Sequence, residues 1–201
     1  SGTRFGPKQV RAESAMIRPY NMGTGAAPFD SLQVADVGDL ASNTFSLKDS
    51  IRIISESYTS ILKHDLIPMA IGGDHSITHP ILRALGKDRP VGMIHIDAHS
   101  DTGGPFDGQK FHHGGPSRNA VLDGVLDPTR VVQIGLRGSS EFMYEFATDS
   151  GMTCIHAEEI DTLGIPAITN GMGRGIIPGG HPLLVTKARG QALGTSDLVI
   201  V

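Results

Sequence analysis

Two short stretches concentrate side chains able to hold a metal ion or move protons. HIDAHSD, residues 95–101, sets two histidines and two aspartates at the end of an apolar run. GGDHS, residues 72–76, sets Asp74 and His75 directly after another. Charged groups next to a core need partners, because an unpaired buried charge is strongly disfavoured. If the chain stays extended past the 91–96 run, Asp97, His99 and Asp101 point to one side, since side chains alternate along a strand. His75 can then approach from an adjacent strand end. Carboxylates and imidazoles without a thiolate suit a divalent metal of intermediate hardness. Manganese fits best, with nickel, cobalt and zinc in range. Asp and His are also common as caps and turn formers, and a lone Asp-x-His would read that way. Two such motifs on neighbouring strands favour metal binding.

The elements that must position these residues follow from the apolar pattern. LQVADVGD (32–39), IPMAIGG (67–73), VGMIHI (91–96) and RVVQIGLRG (130–138) read as strands. Between them, Ser46 and Asp49 form a capping signature ahead of an amphipathic helix. In that helix Ile51, Ile54, Tyr58, Ile61 and Leu62 make one apolar stripe. A shorter helix is expected near Ile77 to Leu85. Strands alternating with helices predict a three-layer α/β/α domain with a mostly parallel sheet. Ligands of such sheets sit beyond the carboxyl ends of the strands, where both motifs fall.

With these motifs in hand, the chain resembles the ureohydrolases, the arginase and agmatinase group. RFGPKQVRAES (4–14), PFDSLQVADVGD (28–39) and VVQIGLRGSS (131–140) are similar to segments of its agmatinase and guanidinobutyrase branch. The resemblance covers most of the chain, to about Ile168. It implies hydrolysis of a guanidino compound to urea and an amine by a pair of Mn²⁺ ions, with agmatine giving putrescine as the first expectation. By the same resemblance His75 and Asp101 bind one metal, Asp97 bridges both and His99 binds the second. His113, in the loop FHHGGPSRNA (111–120), corresponds to a histidine that donates a proton to the leaving amine or contacts substrate. Relatives continue there with Thr and Pro-Phe, where this chain has Gly115, Pro116 and Ser117. The family's assemblies imply a homo-oligomer, a trimer or hexamer.

The physical chemistry agrees. A guanidinium is cationic and resonance-stabilised, hence a poor electrophile. Two metals about 3.5 Å apart can generate a strong nucleophile from water at neutral pH. Carboxylates are natural partners for a guanidinium through paired charge-assisted hydrogen bonds.

One family feature is missing from the sequence. The Asp-x-Asp pair that completes the metal site in relatives does not occur in residues 169–201, where Asp197 stands alone. That Gly- and Pro-rich segment is expected to be irregular, apart from a ureohydrolase-like central portion over residues 1–168. A catalytically impaired relative or truncated isoform, acting as an interaction or regulatory subunit, is the alternative to an active hydrolase.

Bulk properties exclude other classes. A net charge of −4 over 201 residues carries no footprint for nucleic acid or an anionic membrane surface. The single cysteine, Cys154, makes no internal disulfide possible and suits a reducing compartment, cytoplasm or mitochondrial matrix. No targeting segment is visible in the sequence. His95 is expected to support the site rather than ligate, and His79 and His181 to be unremarkable.

Overall fold

The structure, a computed structural model, describes residues 2–137 and 144–162. It divides into two compact units, residues 1–11 with 39–156, and residues 12–38 with 157–201. The first unit holds the sheet and both motifs.

Helix α1 (Gly6–Ser14) and the short α2 (Pro28–Ser31) precede α3 (Leu47–Ile61). Helix α3 begins where the sequence signature places it: the Ser46 side chain accepts a hydrogen bond from the Asp49 amide at 3.2 Å. Its stripe buries Ile51, Ile54 and Tyr58, the last two packing with Ala84, Ile77 and Ile81 of the next helical segment. That segment is a 3-10 turn, His75–Ile77, running into α4 (Thr78–Leu85). Pro80 is tolerated because it lies in the first turn of α4, where its missing N–H has no helical partner to lose.

Three parallel strands follow, β1 (Val91–Ile96), β2 (Leu126–Leu136) and β3 (Thr153–His156), in the order β1-β2-β3. Helix α5 (Pro116–Leu122) connects the first two strands and α6 (Glu145–Asp149) the next two. Pro116 opens α5 at the position where a preset φ suits a helix start. Leu82, Ala120, Leu126, Val131, Ala147 and Met152 form the main core, so α4, α5 and α6 cover the sheet face that carries Met93 and Val131. The fold is therefore α/β with a parallel sheet, as the alternation of elements predicts. In the second unit α7 (Ala157–Thr162) starts with Glu158 and Glu159, acidic residues suited to a helix N-terminus. Among the described residues no helix is long and apolar enough to cross a membrane.

Two expected strands are absent from the ladder. Residues 32–39 form no strand, and Leu32, Val34 and Val37 are exposed. Residues 67–73 likewise lie outside the sheet, with Ile67 99% and Met69 85% exposed. Apolar alternation marks a segment fit for a sheet, but a strand also needs a hydrogen-bonding neighbour. Among the described residues β1 has β2 on one side and no strand on its other edge. The expected boundary at residue 168, the segment 169–201 and His181 lie outside the described residues.

Candidate metal centre

The site forms where β1 ends. Asp97 donates its amide to the Ile134 carbonyl at 3.1 Å, and Arg137 donates to the Ala98 carbonyl at 2.9 Å, so β2 clamps the backbone on both sides of the Asp97 side chain. Beyond that point the chain turns. Asp97 Oδ1 accepts the His99 amide at 2.9 Å, and Asp101 adopts a left-handed φ of 51°. Asp tolerates that region better than most residues, yet a non-glycine there is uncommon and marks a constrained position. Asp101 is held by its own carbonyl, which accepts the Ser117 amide at 3.1 Å from the start of α5.

The expected extended run through 97, 99 and 101 is thus replaced by a turn. Asp97 and Asp101 still converge, but His99 does not share their pocket, and its side chain is 63% exposed. His99 instead stands on the other side of Asp97, with Nδ1 3.5 Å from Oδ1.

His75 arrives from the 3-10 turn. Asp74 caps that turn by accepting the Ser76 amide at 3.0 Å, so the first polar residue of GGDHS shapes the backbone while the second faces the site. A side chain on Gly73 would collide with the Thr3 carbonyl, which is why the GG pair precedes this histidine. His75 Nδ1 contacts Asp101 Oδ2 directly and lies 3.9 Å from Asp97 Oδ2. The fourth member of the cluster is His95, whose Nε2 lies 3.7 Å from the same Asp97 oxygen. Ligand atoms of His75, His95, Asp97 and Asp101 all lie within 4.8 Å of one another.

The electrostatics distinguish the two histidines. Contact with Asp101 raises the His75 pKa above its ordinary value, against burial and with help from Asp97 and Asp74. Burial pushes His95 down, although Asp97 and Asp101 pull the other way. For Asp74, burial acts upward, but hydrogen bonds from Ser76 and the charges of His113 and His75 hold it below the usual carboxylate range.

His113 is exposed and stands outside the four-residue cluster. Its neighbour His112 fixes the loop: Nε2 bonds the Gly104 carbonyl at 2.8 Å and Nδ1 accepts the Gly114 amide at 3.2 Å. The two rings meet edge to face at 6.4 Å.

The donor set fits a divalent cation. Two carboxylates and two imidazoles meet with no cationic side chain among them, and Cys154 points elsewhere, its thiol 3.7 Å from Gln133 Oε1. The sequence motifs did not single out Gln133 or assign the cluster to His95. Gln133 is fully buried in the middle of β2 and bonds both His95 Nδ1 and the Ser100 carbonyl. An amide inside the apolar run VVQIGL was the one available signal.

Comparison with known proteins bears on the family and the fold. The profile of the arginase family matches residues 1–186. The chain is 53% identical over 162 residues to guanidinobutyrase of Pseudomonas aeruginosa, covering 79% of this chain and 51% of that protein. It is 54% identical over 161 residues to mitochondrial agmatinase of Gallus gallus, covering 79% of this chain and 47% of that one. Among solved structures, proclavaminate amidino hydrolase from Streptomyces clavuligerus matches with a TM-score of 0.75 and 35% identity, over 81% of this chain and 55% of that one. The chain spans about half the length of the curated relatives it matches.

Proposed function

The chain belongs to the arginase family, and on that premise we propose that it takes part in hydrolysing a guanidino compound to urea and an amine with the help of divalent metal, manganese first. Agmatine, yielding putrescine, is the first substrate to test, beside guanidinobutyrate. The relatives named agmatinase and guanidinobutyrase support this class. The observation that carries the metal assignment is the position of Asp97. One of its oxygens faces His75 Nδ1 at 3.9 Å and the other faces His99 Nδ1 at 3.5 Å. A carboxylate whose two oxygens look toward different imidazoles is arranged to be shared by two cations.

In this reading His75 and Asp101 would hold one ion and His99 the other, with Asp97 serving both. When bound, two such cations supply a strong nucleophile from water at neutral pH and offset negative charge that develops during attack. The chain's own groups do the rest. The carboxylates favour a cationic substrate, and His113, on its exposed loop, hands a proton to the departing amine nitrogen. The loop is braced for that task by His112, bonded to Gly104 and Gly114. The working protein is a trimer or hexamer in the cytoplasm or mitochondrial matrix.

A second reading rests on the lack of an Asp-x-Asp pair in residues 169–201: an impaired relative that retains one ion and serves as an interaction or regulatory subunit. Elemental analysis of purified protein together with a urea-release assay separates the two. About two metal ions per chain with urea release from agmatine or guanidinobutyrate supports hydrolysis. One ion or none, without urea, supports the second reading.

A further inference from the structure

We propose that His95 is not a metal ligand but a hydrogen-bond donor, locked by Gln133 into the tautomer with its proton on Nε2 and aimed at Asp97. The argument begins one residue away from the metal chemistry. Gln133 is fully buried, and its Nε2 lies 2.6 Å from the Ser100 carbonyl oxygen. A carbonyl oxygen can only accept, so the Gln133 atom beside it must be the NH₂ group. The opposite end agrees, because Gln133 Oε1 accepts from the Cys154 thiol at 3.7 Å. One amide hydrogen therefore goes to Ser100.

The other points to His95 Nδ1 at 3.2 Å. Nδ1 must then present its lone pair, and a neutral imidazole with a bare Nδ1 carries its hydrogen on Nε2. A nitrogen bearing a hydrogen in the ring plane has no lone pair for a metal. His95 is 8% exposed, and its Nε2 is buried with no hydrogen-bond partner among the described residues. Leaving such a donor orphaned is unfavourable. Asp97 Oδ2 lies 3.7 Å from it, and this oxygen also faces His75. The His95 Nε2–H is therefore aimed toward Asp97, whose backbone is clamped by β2.

His95 is thus a positioning residue. Its N–H fixes which lone pairs of Asp97 remain for cations, as hydrogen bonds to ligating carboxylates do elsewhere. The tautomer follows from the metal-free hydrogen bonds alone, whereas the consequence for metal affinity rests on the metal reading above.

The test reads the tautomer directly. Long-range ¹H–¹⁵N correlation spectra of histidine-labelled protein are recorded at about pH 8, above the usual imidazole range, without metal and then with diamagnetic Zn²⁺. The expected result for His95 is a protonated Nε2 and a bare Nδ1, both unchanged by Zn²⁺. A proton on Nδ1, or a His95 Nε2 resonance that moves to a metal-bound position when Zn²⁺ is added, overturns the proposal. Gln133→Glu places an acceptor beside Nδ1 and should reverse the tautomer; an unreversed spectrum in the folded variant counts against Gln133 as the lock. For function, His95→Phe should weaken Mn²⁺ binding by about 10- to 100-fold, the range for groups that support a ligand. His95→Gln, whose amide can donate from the Nε2 position, should restore most of that loss. Equal losses in both variants would make His95 a ligand after all. If wild-type protein binds no metal but shows the protonated Nε2, the metal reading fails and the tautomer assignment stands.

Discussion

Among the described residues, two histidine–aspartate groupings have opposite character. In the first, His75, His95, Asp97 and Asp101 meet with no Lys or Arg among them. In the second, His79 bonds Asp123 at 2.8 Å, with Lys110 at 3.2 Å and Arg83 at 3.6 Å from the same carboxylate group. His79 is almost wholly buried and stacks on Phe111. The same two residue types therefore do different work. Around Asp123 the protein supplies its own cations, and the charge is complete. Around Asp97 and Asp101 it does not, and a cation from outside would balance the set. What separates a candidate metal centre from a structural pair is the company of the carboxylate, not the presence of histidine.

The largest effect that could break this contrast comes from the carboxylates themselves. Asp97→Ala should lower Mn²⁺ affinity by more than ~100-fold, beyond the range for supporting groups. Asp101→Ala should lose less, because Asp101 makes its close contact with His75, whereas Asp97 has His75, His95 and His99 within 3.9 Å. Asp123→Ala should leave metal content untouched. Metal analysis of the three variants after dialysis decides the matter; equal losses for Asp97 and Asp101 would remove the bridging role.

Next in size is His113→Asn. General acid catalysis contributes ~100- to 10,000-fold, so turnover in a urea-release assay should fall by that order while metal content stays constant. An unchanged rate would reduce His113 to an exposed loop histidine.

How much of this was legible in the sequence differs between the two groupings. Asp97 and Asp101 stood out because polar residues at the end of an apolar strand need a reason, and His75 stood out through the same logic in GGDHS. The convergence was visible, but its geometry was not. A left-handed Asp101 leaves no mark in residue order, so alternation suggested a straight run where the chain turns. His79 read as unremarkable because its partner Asp123 is 44 positions away, and pairing at that range is made by packing. The fold behaved similarly. Helix α3 was fully readable, since its cap and stripe are local. Residues 32–39 and 67–73 carry a strand pattern yet lie outside the ladder, because pairing depends on a neighbour that local pattern does not specify.

The second grouping makes a stability prediction of moderate size. Asp123→Ala strands a buried His79 Nε2–H and frees Lys110 and Arg83 from their partner. The loss should be about 1–3 kcal/mol, the penalty for a buried donor left unsatisfied. Urea unfolding with and without Mn²⁺ measures it, and the same loss is expected in both, because this pair is separate from the metal site. A loss that vanishes on adding metal would show the two groupings to be coupled.

The smallest effect, and the sharpest on the contrast, is the pH dependence of the metal-free protein. Burial holds the His79 pKa below its ordinary 6.5, outweighing the pull of Asp123 and aided by Arg83 and Lys110. Above pH 6.5 neither folded nor unfolded chain protonates this histidine, so its contribution is constant. As pH falls below 6.5, the unfolded chain takes the proton first, and stability is lost until the pH passes the lowered folded value. His95, lowered by burial, acts with the same sign. His75, raised chiefly by Asp101, acts with the opposite sign: its contribution is present below 6.5 and is lost as pH rises through its raised value. Asp123 itself, lowered from 3.8, does not titrate in this window. Each histidine changes stability by at most ~1.4 kcal/mol per pH unit. With chelator present, wild-type protein should therefore lose stability between about pH 6.5 and 5, and His79→Gln should flatten that slope because its amide still donates to Asp123 but cannot take a proton. His75→Gln should leave the slope below pH 6.5 nearly unchanged and remove the loss of stability that His75 contributes above it. Unfolding midpoints across the range, for the three proteins, give the answer; a slope indifferent to His79 would mean that its burial is not what holds it neutral.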